Sequence, residues 1–193
     1  MFKRASLKHI CEAANAHDKA HADVIVNCTG LPAAKIGGVQ DNSVVPARGQ
    51  IVVVQNECRG MYVVSGADEQ GAGTSYVMQR PGRGGTSLEG CYQKGNWDSQ
   101  PDPNLAVRIM QRAVHLCPEL TDGEGIEHLD VIRHCGGSRP VWNGGPRIKR
   151  ERVYGKWIVH KCGHGGAGYQ AHHGLALAAK DLVDAVHRLV GKL

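Results

Sequence analysis

The stretch His160-Lys161-Cys162-Gly163-His164-Gly165-Gly166-Ala167-Gly168-Tyr169-Gln170 decides how this chain is interpreted, because it joins a β-rich run to the last helix through glycines. Residues 156–160 concentrate apolar and β-branched side chains, which predicts a strand. Apolar residues from Leu175 to Val190 recur at helical spacing and predict a helix. A glycine turn between a strand and a helix presents backbone N–H groups to an electron-rich ligand. The sequence therefore predicts an anion-facing helix N-terminus.

Gly163, Gly165 and Gly168 also satisfy G-x-G-x-x-G, the pattern that opens a dinucleotide-binding βαβ unit. Such a unit needs a second strand and an acidic residue roughly 20 positions further on. The residues after Gly168 instead predict one helix that runs to Leu193. We therefore reject the Rossmann interpretation of this turn and keep the anion-facing helix N-terminus.

Composition places the chain among mixed α and β proteins. Its 193 residues, 41% of them hydrophobic, suffice for one domain or two small ones with a core. The 26 glycines are grouped between short β-rich runs, which predicts many tight turns and an α/β or α+β fold. Seven cysteines without a C-x-x-C pair argue against a disulfide-stapled secreted protein.

Charge and hydropathy limit the expected partners. The formal net charge of +5 is dispersed, so no nucleic-acid partner is predicted. No run approaches the roughly 20 apolar residues that cross a membrane, so no membrane partner is predicted either. The terminal Gly191-Lys192-Leu193 is close to the peroxisomal S-K-L address. It predicts a peroxisomal location, with a cytoplasmic one as the alternative.

Short patterns predict the remaining elements. Leu7, Ile10 and Ala14 lie at helical spacing and predict a helix over residues 5–16. Asp102-Pro103-Asn104 begins another helix, which ends at Pro118. The predicted strands cover residues 23–28, 51–54, 61–65, 76–79, 86–88, 126–135 and 147–153. The four strands between residues 51 and 88 are expected to form an antiparallel meander.

Ordered segments along nearly the whole chain carry a family resemblance. They are Asp23–Leu31, Val45–Gln50, Tyr76–Arg80, Gly90–Trp97, Ser138–Pro140, Gly144–Arg147 and His164–Gln170. Together they resemble approximately the C-terminal two-thirds of the fungal D-amino-acid oxidases. So many matches in the same order make a chance similarity improbable.

The resemblance implies an FAD-dependent enzyme that dehydrogenates a D-amino acid to an imino acid, which hydrolyses to a 2-oxo acid and ammonia. Dioxygen reoxidises the flavin and yields hydrogen peroxide. The implied fold is α/β (α+β), with an incomplete Rossmann-like FAD-binding domain and an antiparallel-sheet substrate domain. Residues 1–45 and 138–193 are expected to form the first domain and residues 46–137 the second. The expected partners are a D-amino acid and dioxygen, and a homodimer is one assembly open to the chain.

The same resemblance assigns three residues to the substrate. Arg139 is expected to clamp the α-carboxylate, because the parallel N–H groups of a planar guanidinium meet both carboxylate oxygens at once. Tyr76 is expected to donate its hydroxyl to that carboxylate, and Tyr92 to line the site from the next strand. Pattern alone would favour a surface charge and two ordinary strand tyrosines, so these roles rest on the resemblance.

The flavin contacts are assigned to the glycine turn. Its backbone N–H groups would face the flavin pyrimidine edge, where negative charge develops on reduction. The resemblance implies that hydride passes from the substrate Cα to flavin N5, so that the cofactor would carry the chemistry and no catalytic histidine or carboxylate would be required. The expected FAD-contacting residues are Ala5, Gly165, Gly166, Ala167, Gly168, Tyr169 and Gln170.

The chain also departs from the family. Relatives begin with a strand and a glycine-rich turn that holds the FAD pyrophosphate, whereas Met1 matches a point well along their chains. Without that part, residues 24–28 and 158–160 are expected to expose sheet edges and apolar faces, and this chain alone is expected to bind FAD poorly or not at all. The usual family residues are also replaced by Gln79, Trp142, Lys161, Cys162, His172 and His173.

Two alternative functions stay open. A D-aspartate oxidase or other flavin amine oxidase would need a further cation near the side-chain pocket, for which Arg80 and Arg83 are candidates. An inactive truncated fragment would fold only partly or pair with another chain. His160, Cys162 and His164 share a face of an extended strand and could bind zinc, but a fourth ligand is not evident, so no metal is predicted.

Overall fold

A computed structural model describes residues 2–17, 20–66 and 73–191. The strands within these residues are β1 (Val24–Asn27), β2 (Val44–Val54), β3 (Met61–Ser65), β4 (Thr74–Gln79), β5 (Thr86–Glu89), β6 (Gln93–Lys94), β7 (Val131–Trp142), β8 (Arg147–Val153) and β9 (Lys156–Cys162). The α-helices are α1 (Pro103–Leu116) and α2 (His172–Val190). Short 3₁₀ helices lie at Ile10–Asn15, Leu31–Ala34, Pro118–Thr121, Ile126–His128 and Gly165–Ala167.

The chain divides into two compact units. The first unit comprises Met1–Pro46 and Arg139–Leu193, and the second unit comprises Ala47–Ser138. These bounds differ by one residue from the predicted ranges, whose cofactor and substrate roles stay predictions. The predicted fold class, a mixed α and β chain with an antiparallel sheet in its middle part, is confirmed.

The first unit is built on a three-stranded sheet in the order β1-β9-β8. β1 pairs with β9 in parallel, and β9 pairs with β8 in an antiparallel hairpin. Tyr154 and Gly155 turn that hairpin with φ of 46° and 79°, the positive values that a two-residue type I′ turn requires. Helix α2 packs against β8 and β9.

Burial in this sheet follows strand order. β9 is central, and its Ile158, Val159 and His160 are fully buried, so the prediction that residues 158–160 expose an edge is wrong. β1 lies at the edge of the described sheet, and its Val26 is 47% exposed, as predicted for that strand. The core beside it contains Ile10, Ala14, Ile25 and Ile158.

The second unit is built on an antiparallel sheet in the order β3-β4-β5-β2-β6. β3, β4 and β5 follow the predicted meander, and β2 then pairs with β5 rather than continuing the sequence order. One face of the sheet packs against α1. The buried core contains Val52, Val54, Cys58, Val77, Leu88, Leu105, Ala106, Ile109, Ala113, Cys117, Leu120 and Leu129.

Helix α1 begins where the sequence predicts. The Asp102 carboxylate accepts hydrogen bonds from the N–H groups of Asn104 at 2.8 Å and Leu105 at 3.2 Å, which caps the first turn. Pro103 occupies the first helical position, where no backbone donor is needed.

Two sequence predictions of local structure are wrong. Residues 5–16 form only the 3₁₀ helix Ile10–Asn15, because Gly37 bonds the backbone of Lys8 and Ile10 and so holds that segment out of a helix. Residues 126–130 are not a strand, because the Asn56 side chain donates to the His128 carbonyl and accepts from the Asp130 N–H. The strand begins at Val131 instead.

No helix among the described residues is long and apolar enough to cross a bilayer. Lys192 and Leu193 of the predicted peroxisomal tripeptide lie outside the described residues.

A buried arginine organises the segment before α1. Arg48 on β2 is 2% exposed. Its guanidinium donates to the Asp98 carbonyl at 3.0 Å, the Gln93 side chain at 3.1 Å, the Gln50 side chain at 2.8 Å and the Gln100 carbonyl at 2.6 Å. The buried charge is therefore solvated by protein oxygens in place of water.

We expect Arg48→Met to destabilise the second unit by about 3 kcal/mol, because it leaves several buried acceptors without their donor. Denaturant unfolding of the whole chain, followed by circular dichroism, measures this loss. Arg59→Met is the matched control, since the Arg59 side chain is 94% exposed, and it should change stability little. Equal effects of the two substitutions would contradict the role given to Arg48.

Candidate functional site

The carboxyl ends of β1 and β9 lie side by side. The parallel register places Asn27 opposite His160. Because the two strands run in the same direction, the loop at residues 28–30 and the glycine turn at residues 163–168 leave the sheet at the same edge. Ligands of open α/β sheets bind outside the carboxyl ends of the strands. The side of the sheet at which the carboxyl ends of β1 and β9 lie, the carboxyl edge, is therefore the candidate site of the first unit.

Glycine is required at the start of the turn. Gly163 has φ of 80°, and a Cβ added there would lie 2.3 Å from the Trp142 Cβ. The Trp142 N–H donates to the Gly163 carbonyl at 3.3 Å, and Val141 forms an antiparallel bridge with His164. The end of β7 therefore holds the turn against the sheet.

The turn does not lead directly into the helix. The Ala167 N–H donates to the His164 carbonyl and the Ala171 N–H to the Ala167 carbonyl, which closes two separate turns before α2. The predicted helix is therefore present, but it begins at His172 instead of directly after Gly168. Ala171, the N-cap of α2, makes no side-chain cap, and the first turn of α2 holds no acidic residue. The positive end of this helix is therefore not neutralised by its own side chains.

The predicted flavin-contacting residues of the turn are accessible. Gly166, Ala167, Tyr169 and Gln170 are exposed, and a Cβ added at Gly166 would meet open space. Gly165 and Gly168 are half-buried. Ala5 lies in an exposed irregular segment, and no hydrogen bond among the described residues joins it to the turn. The structure thus groups six of the seven predicted residues, and all seven contacts stay predictions.

Arg139 belongs to the strand that holds the turn. It lies on β7 two positions before Val141, on the same face, and is half-buried. Pro140 lies beside the loop after β1, since a Cβ added at Gly30 would be 3.5 Å from the Pro140 Cγ. Arg139 is therefore connected through its own strand to both segments that leave the carboxyl edge of the sheet.

The two predicted substrate tyrosines lie in the second unit. Tyr76 is on β4, half-buried, and directly opposite Glu89 of β5. Tyr92 lies between β5 and β6 and is 49% exposed. Their predicted contact with substrate stays a prediction.

A polar network beneath the site was not predicted from the sequence. The two His160 ring nitrogens lie 3.1 Å from Asn27 Nδ2 and 3.0 Å from Glu151 Oε1. Arg147 bonds Glu151 at 3.2 Å and Asp41 at 2.5 Å. The Asp41 carboxylate also accepts from the Trp142 indole at 3.0 Å. The network therefore runs from the end of β1 to the strand that holds the glycine turn.

Burial and the charges of this network favour a neutral His160 and an ionised Glu151. Burial lowers the pKa of the His160 imidazole, and the Arg147 charge lowers it further against the opposing effect of Glu151. Burial by itself would raise the pKa of the Glu151 carboxyl. The interactions of this carboxyl with His160, Arg147 and Lys149 outweigh the effect of burial, so its pKa lies below the usual value. Burial and Arg147 therefore both favour the neutral imidazole of His160, and Arg147 also favours the Glu151 carboxylate.

The zinc alternative finds no support in the geometry. His160 bonds Asn27 and Glu151 instead of facing a shared ligand with Cys162. His164 lies beyond the end of β9. Within residues 2–17, 20–66 and 73–191, no group of three or more histidine, cysteine or acidic side chains could hold a metal ion.

Comparisons with known proteins extend over most of the chain. A family model described as "DAO: FAD dependent oxidoreductase" matches residues 3–182. The chain is 50% identical over 188 residues to a D-amino-acid oxidase of Fusarium vanettenii, covering 96% of this chain and 52% of that one. It is 33% identical over 172 residues to a D-aspartate oxidase of Homo sapiens, covering 86% of this chain and 46% of that one. The chain therefore spans about half the length of the curated relatives it matches, which is less than the two-thirds expected from the sequence.

A solved structure supports the same fold. A glycine oxidase from Geobacillus kaustophilus superposes with a TM-score of 0.60 at 21% identity, covering 88% of this chain and 42% of that one. At 21% identity, this similarity shows that the two chains share a fold and no more.

We expect Gly163→Ala to destabilise the first unit by about 3 kcal/mol, because it adds a clash with Trp142 and a strained positive φ. Trp142 and Trp157 lie in this unit, so denaturant unfolding followed by tryptophan fluorescence reports the loss. Gly166→Ala is the matched control and should be nearly neutral, since its Cβ meets open space. A neutral Gly163→Ala would contradict the close approach of β7 to the turn.

Proposed function

Because the chain belongs to the family of FAD-dependent oxidoreductases whose model matches residues 3–182, we propose that it acts in the oxidative deamination of D-amino acids with FAD as cofactor. The sequence resemblance to fungal D-amino-acid oxidases is confirmed by the 50% identity to a fungal relative of that name. Since the chain spans about half of that relative, the activity itself is part of the proposal.

One observation carries the proposal. An arginine of the type that binds carboxylates lies on the strand that holds an exposed glycine turn at the carboxyl edge of a sheet. Val141 and Trp142 join Arg139 to that turn through a bridge and a backbone hydrogen bond. The edge thus combines a cation for the carboxylate of an amino acid with backbone N–H groups for the electron-rich edge of a cofactor.

The residues of the turn fit a flavin. Gly166 leaves open space where a Cβ would project, and the uncapped end of α2 favours a partner with negative charge. His164 Nε2 is buried without a hydrogen-bond partner in the described part of the chain, so a polar ligand atom would satisfy it. Bound FAD would accept the hydride from the substrate Cα at N5, which is the redox chemistry of the proposed reaction.

The chain's own residues would position the substrate. The Arg139 guanidinium would hold the α-carboxylate by two parallel N–H bonds and so fix the direction in which Cα faces the cofactor. We assign the hydroxyls of Tyr76 and Tyr92 to the same substrate on the family resemblance. The imino acid would then hydrolyse to a 2-oxo acid and ammonia, and dioxygen would reoxidise the cofactor to give hydrogen peroxide.

A second candidate is oxidation of D-aspartate, because one relative carries that name. It would need a further cation for the side-chain carboxylate. Arg80 donates to the Gly84 carbonyl at 2.8 Å within its own turn, and Arg83 is exposed with φ of 58°. Neither arginine is therefore positioned in advance to bind the side-chain carboxylate of D-aspartate. Neutral D-amino acids are accordingly the proposed substrates.

Two further proposals concern the location of the protein in the cell and its oligomeric state. A peroxisomal location would agree with production of hydrogen peroxide and with the terminal Gly191-Lys192-Leu193. A homodimer is the proposed assembly. Targeting of a fluorescent fusion and the mass of the purified chain in solution test these two points.

The sequence alone predicts poor FAD binding, but the first unit holds the exposed glycine turn and the uncapped N-terminus of α2 ready for a ligand. We therefore expect the purified chain, given excess FAD, to show a bound flavin spectrum that bleaches without oxygen when D-alanine is added. D-alanine should bleach it at lower concentration than D-aspartate does. Gly166→Ala should weaken FAD binding about tenfold or more, because its new methyl group occupies the space proposed for the flavin. Gly174→Ala, also without a protein neighbour, is the matched control and should leave binding unchanged.

The outcomes separate the alternatives. A bound flavin that D-aspartate bleaches first would favour the second candidate. A folded chain that binds no flavin would favour an inactive fragment and contradict the proposal for this polypeptide.

We expect Arg139→Lys to raise the D-alanine concentration needed for half-bleaching about 100-fold, because the single ammonium loses the paired geometry of the guanidinium. FAD affinity should be unchanged, since the variant leaves the turn intact. Arg133→Lys, an exposed position on the same strand, serves as the control. A variant that bleaches at the wild-type concentration would remove Arg139 from the substrate site.

A further inference from the structure

The side chain of Asn27 connects two parts of the candidate site. It lies at the end of β1 and is 1% exposed. Its Oδ1 accepts hydrogen bonds from the Thr29 N–H at 3.1 Å and the Thr29 hydroxyl at 2.8 Å. Its Nδ2 lies 3.1 Å from His160 Nδ1. Asn27 therefore ties the loop after β1 to the centre of β9.

The protonation of His160 follows from these contacts. The Thr29 backbone N–H can only donate, so it requires the carbonyl oxygen of Asn27. The Asn27 amide nitrogen must then face His160 Nδ1, which has to be an unprotonated acceptor. The ring proton consequently lies on Nε2, where it is donated to Glu151 at 3.0 Å. A backbone group of the loop thus determines the tautomer of a histidine on another strand.

We propose that His160 is a positioning residue whose neutral, Nε2-protonated ring holds Asn27, and through it the Thr29–Gly30 loop, in the conformation that receives the cofactor. The part that concerns the cofactor rests on the proposed function. The loop lies against Pro140, the neighbour of Arg139. The network continues through Glu151, Arg147 and Asp41 to Trp142, which bonds the glycine turn. One buried ring therefore connects both segments that leave the carboxyl edge.

Protonation of His160 releases this arrangement. When His160 Nδ1 is protonated, it and Asn27 Nδ2 are both donors and face each other. Asn27 removes this conflict only by rotating its amide so that Oδ1 faces the ring. Its Nδ2 then faces the Thr29 N–H, so the loop loses its acceptor. The groups that face the ring or act on its charge are Glu151, Arg147 and Asp41, and Lys149 acts through Glu151. Because burial and the Arg147 charge lower the pKa of His160 below that of a free imidazole, the release occurs on acidification.

The first test uses the ligand-free wild-type chain. Nitrogen-15 NMR of the imidazoles reports the tautomer and titration of His160, and hydrogen exchange reports the Thr29 amide, from about pH 7.5 to about pH 5. We expect the Nε2-protonated tautomer at the upper pH. Thr29 exchange, corrected for its intrinsic pH dependence, should rise about tenfold with the same midpoint as the His160 titration. A ring protonated on Nδ1 at neutral pH, or exchange that ignores the titration, would overturn the proposal.

Variants separate positioning from a structural role. In His160→Gln the amide oxygen can accept from Asn27 while its nitrogen donates to Glu151, and it does not titrate. This variant should keep Thr29 protected with no midpoint in the range. His187→Gln, an exposed position on α2, should keep the wild-type midpoint. A midpoint that persists in folded His160→Gln would contradict the inference.

A parallel titration with FAD extends the test to the cofactor. FAD affinity should fall about tenfold across the His160 titration in the wild-type chain and stay level in His160→Gln. Affinity that falls equally in both would overturn the link to the cofactor. A chain that binds no FAD at any pH would contradict the proposed function, while the NMR experiment still decides the coupling of His160 to the loop.

Discussion

The parallel pairing of β1 with β9 is the constraint on which the first unit depends. It joins the segment before the second unit to the segment after it and places Asn27 opposite His160. This register brings the loop after β1 and the glycine turn to one edge. A shift of β1 by one residue would turn Asn27 to the other face of the sheet, away from His160. The core, the polar network and the candidate site of the first unit therefore all depend on the register of β1 against β9.

The sequence was most informative where a signal is local. The hairpin strand at residues 147–153, the helix after Asp102 and the strand at residues 61–65 all have the predicted bounds or differ by a residue. The glycine turn was predicted from its own composition, and the family from ordered matches. Such features depend on neighbouring residues, whose spacing the sequence displays directly.

The rest depended on contacts between distant residues. Gly37 bonds the backbone of Lys8 and Ile10 and prevents an α-helix there, although Leu7, Ile10 and Ala14 lie at helical spacing. His160 alternates with Cys162 as a pair of metal ligands would, yet its partners are Asn27 and Glu151. Asp41 lies 106 residues from Arg147. No periodicity marks such pairs, because each partner is chosen by the tertiary fold and not by its neighbours in sequence.

The insertion of one unit within the other also orders events during synthesis. Asn27 and His160 are 133 residues apart, so β1 leaves the ribosome long before its partner strand is made. At roughly 5–20 residues per second this delay is on the order of ten seconds. The continuous residues 47–138 can complete their sheet within that time. β1 meanwhile lacks its partner strand, and the first unit becomes resistant to proteases only after β9 has been made.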